Sequence, residues 1–266
     1  MTSPWFAALF ALFAWWFFTG VILLIVRRAD AGKAVAHGRN VFLTVPLFAL
    51  GAALLVISAQ EKTVLNAYLA FFSVLLIWGW IELSFLSGVI TGPELRPCPK
   101  HLTGYARFAR AWDTISRHEL LLAATLLAVV VTTSHMPNTV GLWTYLILFT
   151  ARISAKLNLF FGVPRINTEF VPIPLQHIKS YFLKGPITMA FPIGVTFLSV
   201  TAACFAERMY SSEIEATTIG FALLTALATL AAIEHWFMVV PLPDAKLWRW
   251  MLPDRTTSRQ DQTNEL

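Results

Sequence analysis

Residues 64–90 read VLNAYLAFFSVLLIWGWIELSFLSGVI, and this stretch decides the class of fold. It carries one charged side chain, Glu82, and it is longer than the roughly 20 residues with which an α-helix crosses the hydrocarbon core of a bilayer. Apolar runs of similar length stand on both sides of it. Since helices and closed barrels are the structures that satisfy the backbone within lipid, the sequence predicts an all-α, polytopic transmembrane helical bundle.

The composition supports the same class. The chain has 266 residues, of which 57% are hydrophobic and 13% are charged, whereas a soluble domain carries about 25% charged residues. The net charge of +5 needs no nucleic-acid partner, because the cytoplasmic loops of membrane proteins are basic. The abundant Phe and Trp side chains suit lipid contact, interfacial anchoring or packing against a large flat ligand, and lipid contact is the favoured interpretation. The lipid bilayer is therefore the first predicted partner.

The apolar runs predict seven spans within a transmembrane domain of residues 1–243. A polar connection, 91–118, separates the third span from the fourth, and prolines near its start favour the end of a helix. Residues 244–266 are predicted to form a short interfacial helix and a polar cytoplasmic tail. The seven predicted spans are about 5–26, 41–59, 64–90, 119–135, 139–158, 186–206 and 216–241.

The distribution of Lys and Arg predicts the orientation. The successive connections and the C-terminal tail contain 4, 1, 5, 0, 5, 1 and 4 basic residues, so that rich and poor connections alternate along the whole chain. Basic connections remain in the cytoplasm. The N-terminus is accordingly predicted to lie outside and the C-terminus in the cytoplasm of a bacterial inner or intracytoplasmic membrane.

Two local patterns have a functional and a structural interpretation. After Pro174, the apolar residues Leu175, Ile178 and Phe182 share one helical face, which suits a helix in the headgroup region and equally suits packing against the bundle. Gly88 and Gly92 form a G-x-x-x-G pattern at the end of the third span, which predicts close helix packing there.

The most polar segment next to a span is residues 151–184, ARISAKLNLFFGVPRINTEFVPIPLQHIKSYFLK. Polar groups beside or within a membrane are functional candidates, because they need partners there. With the orientation above, the polar groups of the spans lie in the cytoplasmic half of the bundle. The candidates for binding a ligand or partner, taken from this segment and the spans, are Glu82, Lys156, Asn158, Glu169, His177 and His235.

Glu82 is the strongest single candidate. A lone carboxylate in an apolar span is costly unless it is paired or protonated. Its placement indicates either a functional site or a structural pairing with Arg152, Lys156 or a neighbouring hydroxyl. Both interpretations remain open at the level of the sequence.

A metal site and a pigment site are weaker hypotheses. The weak candidates for metal ligands are Glu82, His118, Glu119, Glu234 and His235. Adjacent helix residues diverge by about 100°, so neither His118-Glu119 nor Glu234-His235 is arranged like the H-E-x-x-H ligands of a metalloprotease. A histidine could also be the axial ligand of a chlorophyll-type magnesium; His235 and His177 are the candidates, although a hydrogen-bonded packing histidine is the favoured interpretation of each. The sequence identifies no catalytic residues.

Two blocks of sequence carry a resemblance. Residues 154–182, SAKLNLFFGVPRINTEFVPIPLQHIKSYF, and residues 78–93, WGWIELSFLSGVITGP, resemble the photosynthetic complex assembly protein 2 (PuhE) family of phototrophic bacteria. The resemblance covers roughly residues 5–250. It implies a membrane protein that affects bacteriochlorophyll production or the assembly of reaction-centre and light-harvesting complexes.

From the resemblance and the polar groups together, we expect a non-enzymatic assembly factor. Its ligand would be bacteriochlorophyll or a precursor, and its partners would be photosynthetic complex subunits or pigment-synthesis enzymes. The first alternative is an integral membrane enzyme of pigment or carotenoid metabolism, with or without a metal. The second is a transporter of a small lipid-soluble molecule, against which stands the absence of an inverted repeat.

Overall fold

A computed structural model describes residues 2–32 and 35–241, and within these ranges the chain is helical without a β-sheet. Seven helical segments are long and apolar enough to cross a membrane, with α2 and α3 together forming one of them. The predicted class of fold is therefore confirmed. The helices are α1 (Pro4–Asp30), α2 (Val35–Leu43), α3 (Val45–Ala59), α4 (Val64–Leu86), α5 (Gly104–Thr133), α6 (Val140–Phe161), α7 (Ala190–Ser211) and α8 (Glu215–Phe237).

Helix α4 lies at the centre of the bundle. Of its most apolar window, 72% is buried inside the protein, against 50% for α8 and 22–28% for the other spans. A helix that is apolar on every side is suited to such a position. Its start is fixed by Thr63, whose side chain accepts a hydrogen bond from the backbone N–H of Asn66 at 3.1 Å. The carboxylate of Glu82 is thereby carried into the interior.

The outer helices turn small residues inward and large ones outward. In α1, Ala7, Ala11 and Ala14 are buried, and they let the helix approach α4 and α8 closely. On the outer side of the same helix, Trp5 and Phe13 are exposed. These aromatic residues lie on the outer surface of the bundle, and their contact with lipid stays a prediction.

The basic connections meet at one end of the bundle, which we call the basic end: the C-terminus of α1, residues 87–103, residues 162–189 and residues 238–241. The backbone N–H of Ile173 donates to the Asp30 carboxylate at 3.3 Å, and that of Cys98 donates to Ser180 Oγ at 2.8 Å. Which side of the membrane this end faces stays a prediction. The predicted interfacial helix and tail, 244–266, lie outside the described residues.

Several helix ends differ from the predicted span bounds, among them the start of α5 and the end of α4. Helix α5 begins at Gly104, about fifteen residues before the predicted span. Residues 104–117 repeat their charged side chains every three or four positions, at helical spacing, and so continue the helix beyond the apolar run.

Helix α4 ends at Leu86. Gly88, with φ +72°, terminates the helix, and the N–H of Val89 bonds to the Ser84 carbonyl at 3.0 Å. Gly88 and Gly92 therefore do not lie on one helical face, but each permits a close approach: a Cβ on Gly88 would meet Pro174, and a Cβ on Gly92 would meet the backbone of Asp113 in α5.

Residues 163–189 fold back over the basic end, and we call them the covering segment. It contains short 3-10 helices at Thr168–Phe170 and Ile173–Tyr181. Leu175 and Ile178 are buried against Phe85 of α4. The apolar face that follows Pro174 therefore packs against the bundle, which decides between the two interpretations of that pattern.

Candidate functional site

A cavity of about 540 Å³ lies beneath the covering segment, between α1, α4, α5, α6 and α8. Its volume falls in the range of pockets that hold small organic ligands, about 300–1,000 Å³. The wall is largely apolar, with charged and polar groups at a few positions. The aromatic side chains that line it include Trp15, Phe18, Trp78, Phe85, Phe160 and Phe170.

Glu82 lies in the cavity wall and pairs with Arg152. The Arg152 guanidinium donates to Glu82 Oε2 at 2.7 Å, and the Glu82 side chain is only 10% exposed. The other oxygen, Oε1, is buried without a hydrogen-bond partner among the described residues and lies 3.8 Å from His118 Nε2. Of the alternatives left open by the sequence, the structural pairing with Arg152 is present.

A second ion pair lies beside the first. The ammonium of Lys156 contacts the carboxylate of Glu119. Lys156 Nζ also lies 5.3 Å from the ring centroid of Phe85, and the His118 ring stacks on that same phenyl ring at 4.2 Å. The helices α4, α5 and α6 are therefore joined within the apolar interior by charged groups that compensate one another.

His235 belongs to a hydrogen-bonded chain and has no free ring nitrogen. Its Nδ1 lies 2.8 Å from the carbonyl of Ala231, and its Nε2 lies 2.9 Å from Ser154 Oγ. A carbonyl only accepts, so Nδ1 carries the proton and Nε2 accepts from the Ser154 hydroxyl. The Asn158 amide donates to the Ser154 carbonyl at 2.9 Å, which places Asn158 next to the same chain.

Glu234 also lines the cavity, one residue before His235. It makes no hydrogen bond or ion pair with any residue in 2–32 or 35–241, and the electrostatic attraction of Arg152 acts on it from a distance. Among the Glu, Arg and Lys residues of the cavity wall, Glu234 is the one that forms no ion pair in the described chain.

The remaining two candidates lie outside the cavity wall. Glu169 is exposed in the covering segment and borders a small cleft with Leu23, Arg27 and Asp30. The Nε2 atom of His177 is buried without a hydrogen-bond partner among the described residues. Burial lowers the pKa of His177, and the nearby Glu94 carboxylate opposes that shift. The structure thus brings Glu82, Lys156 and His235 together, with Asn158 adjacent, and leaves Glu169 and His177 apart.

The covering segment is tied down by an arginine of α5. Arg107 donates to the carbonyl of Phe160 at 3.2 Å and to the carbonyl of Tyr181 at 2.6 Å, and it lies over the Phe160 ring. The hydroxyl of Tyr181 in turn donates to the Arg96 carbonyl, and burial raises the pKa of this tyrosine. These bonds hold the end of α6 and the covering segment over the cavity.

The weak metal candidates do not form a group. Within the described ranges, no three His, Cys, Asp or Glu side chains converge as metal ligands. Glu82 and His118 approach one another, but Glu119 is directed to Lys156 and His235 to Ser154. The arrangement is that of an ion-pair and hydrogen-bond network beside an apolar cavity.

Two features of the site escape sequence reasoning. Ser154 gives no signal of its own, although its spacing of four residues from Asn158 places both on one helix face. The aromatic residues of the wall are indistinguishable in sequence from those that face lipid. Only the packing of five helices shows which of them surround a cavity.

Fold and site together define an integral membrane protein whose helices line an apolar cavity with an ionic cluster in its wall. The chain belongs to the family described as "Protein of unknown function (DUF3623)", which matches residues 1–259. A relative from Rhodobacter capsulatus, described as an uncharacterized 30.4 kDa protein in the puhA 5′ region, is 46% identical over 253 residues, 95% of this chain and 92% of the relative. No solved structure matches the chain.

Proposed function

We propose that this protein is a photosynthesis-related membrane factor that holds a pigment or pigment precursor, bacteriochlorophyll or a molecule on the way to it, while photosynthetic complexes are assembled. The observation that carries the proposal is the aromatic-lined cavity at the basic end. In the predicted orientation that end faces the cytoplasm, where soluble precursors and newly made subunits are available.

The relative supports the photosynthetic context. Its gene lies 5′ of puhA, in a photosynthesis gene cluster, and at 46% identity over most of both chains the two proteins are expected to share a fold and a site. We extend the proposal to partners, which would be complex subunits or pigment-synthesis enzymes, and to a location in the cytoplasmic or intracytoplasmic membrane. On the basis of the sequence resemblance, the proposal includes membership of the photosynthetic complex assembly protein 2 family.

The geometry limits how a pigment would be held. His235 would become a magnesium ligand only if Ser154 turned away, because the Nε2 lone pair accepts the Ser154 hydroxyl. Contact of the pigment with the apolar and aromatic side chains of the wall requires no movement of Ser154. Binding without a magnesium ligand would also suit a factor that must release its pigment.

The test is deletion of the gene in the phototrophic host, with the gene restored in trans as a control. We expect pigment content and the absorption bands of assembled complexes to change in the deletion strain and to recover on complementation. Accumulation of one chemically distinct precursor would favour the enzyme alternative. Unchanged pigments and complexes would contradict the proposal.

A further inference from the structure

One carboxyl group beside the cavity has no counter-ion among the described residues. The cluster holds the carboxyl groups of Glu82, Glu119 and Glu234 and the cations of Arg152 and Lys156. Each cation already contacts one carboxylate, Glu82 or Glu119, so Glu234 is left without a counter-ion in the described chain. His118 is counted as neutral, which its complete burial without a hydrogen-bond partner in the described chain favours.

Glu234 is half-buried and forms part of the cavity wall. A polar group in that position needs a hydrogen-bond partner, which an occupant of the cavity can supply.

A second carboxylate lies in the same wall. Glu82 lines the cavity, but its Oε2 accepts from Arg152 and its Oε1 is buried 3.8 Å from His118 Nε2. Glu234 is therefore the acidic group of the wall that an occupant of the cavity can contact. An apolar space bounded by aromatic rings, with one carboxyl group in its wall that is unpaired within the described ranges, is matched by an apolar molecule that carries a hydrogen-bond donor at one end.

We propose that Glu234 is the head-group acceptor of the cavity and that the ligand is an amphiphile with a long apolar or conjugated body and a hydroxyl or protonated amine at one end. This inference rests on the proposed ligand-holding function and specifies the chemistry of the ligand. An anionic head is disfavoured because it would lie beside the carboxyl groups of Glu234 and Glu82. A hydroxyl or ammonium head donates to the Glu234 carboxyl, whereas a head that only accepts hydrogen bonds leaves its carbonyl oxygen without a donor.

The test compares retinoid probes that share one apolar body and differ at the head: retinol, retinylamine, retinoic acid and retinyl acetate. Trp15 and Trp78 line the cavity, and their emission overlaps retinoid absorption, so energy transfer reports binding to the full chain in lipid nanodiscs. Empty nanodiscs and competition by farnesol separate saturable binding from partition into lipid. We expect retinol and retinylamine to bind about tenfold more tightly than the other two probes, the factor that one charge-assisted hydrogen bond supplies.

The variants assign that preference to one residue. In Glu234→Leu the preference is expected to disappear while retinyl acetate still binds, which shows that the cavity has formed. Glu234→Gln keeps an acceptor oxygen, so retinol binding should survive better than retinylamine binding. The matched control is Glu207→Gln, because Glu207 is an exposed carboxylate at the opposite end of the bundle, and it should leave all four affinities unchanged.

Three results would overturn the inference: no saturable binding of any probe, tighter binding of retinoic acid or retinyl acetate, or a donor preference that persists in Glu234→Leu. The proposed function is judged separately by the deletion strain. A pigment defect without a donor preference contradicts the head-group inference alone. A donor preference without a pigment defect contradicts the photosynthetic function alone.

Discussion

At the scale of single residues, the sequence located the important charges but not their partners. Glu82 could be selected because it is the one charged group in residues 64–90. Its pairing with Arg152 at 2.7 Å depends on how α4 and α6 pack, which local patterns do not specify. Lys156 was an equal candidate for the same role, and it contacts Glu119 instead.

Replacing Glu82 tests the first ion pair. Glu82→Gln removes the negative charge with little change of volume and leaves Arg152 without its counter-ion. We expect a loss of about 2 kcal/mol in the free energy of unfolding, below the roughly 3–5 kcal/mol for a fully buried pair, because the Arg152 side chain is 32% exposed and partly screened. Unfolding by a denaturing detergent in mixed micelles measures the difference.

The control is Glu207→Gln. Glu207 pairs with Arg208 at 3.7 Å, and both side chains are about 70% exposed, so this variant should have the stability of the parent. Equal losses in the two variants, or no loss in either, would contradict a stabilising role for the Glu82–Arg152 pair.

His177 gives a prediction about pH. Burial places its pKa below the ordinary value of about 6.5, so the unfolded chain takes up the proton first as the pH falls. His177 therefore contributes its full stability above pH 6.5 and loses it progressively below that value, down to the pKa of the folded state. The thermal midpoint of the parent minus that of His177→Gln should be constant above pH 6.5 and fall below it. A difference that is flat throughout would show that His177 is not buried as described.

At the scale of elements, apolar length predicted where the spans are but not where the helices end. Helix α5 extends to Gly104 because residues 104–117 pair a charged face with an apolar one, a pattern that a search for purely apolar runs excludes. Most of the covering segment lies within residues 151–184, which the sequence marked as the most polar region beside a span. That it covers a cavity could not be predicted, because the contacts of Ile173 with Asp30 and of Ser180 with Cys98 join residues far apart in the chain.

Arg107 should control the mobility of the covering segment. Arg107→Ala removes the hydrogen bonds to the carbonyls of Phe160 and Tyr181, and local opening should become easier. In a Cys204→Ser background, we expect maleimide to label Cys98 about tenfold faster, the factor for roughly 1.4 kcal/mol. Arg117→Ala is the control, since Arg117 is exposed on the same helix. Identical labelling rates in the two variants would contradict the restraining role of Arg107.

At the scale of the whole molecule, the alternation of connections rich and poor in Lys and Arg correctly predicted which connections lie at the same end of the bundle. Residues 27–40, 91–118 and 152–184 contribute to one end of the bundle, and the short connections lie at the other, where the Asn138 amide donates to the carbonyls of Ser58 and Asn66. Such grouping follows because successive spans run in opposite directions, so that every second connection returns to the same end. No sequence pattern predicted the cavity, because it forms only where five helices pack against one another.

Orientation can be tested with two cysteines in intact cells. Cys98 lies at the basic end, and His135 is exposed at the opposite end. In a Cys204→Ser background, a membrane-impermeant maleimide should label His135→Cys, with Cys98 replaced by Ser, before the cells are permeabilised. Native Cys98 should be labelled only afterwards. The reverse pattern would place the basic end outside.

The most direct test of the central claim, that the cavity holds a pigment or precursor, is an absorption spectrum. The protein would be purified in mild detergent from phototrophically grown cells of the native host and scanned from the near ultraviolet to the near infrared. Two variants would be purified alongside it: Ala155→Phe, which fills the cavity from α6, and Ala203→Phe, which adds the same ring to an exposed position of α7. The account predicts pigment bands in the parent and in Ala203→Phe and their loss in Ala155→Phe. A colourless parent protein, or bands that persist in Ala155→Phe, would contradict it.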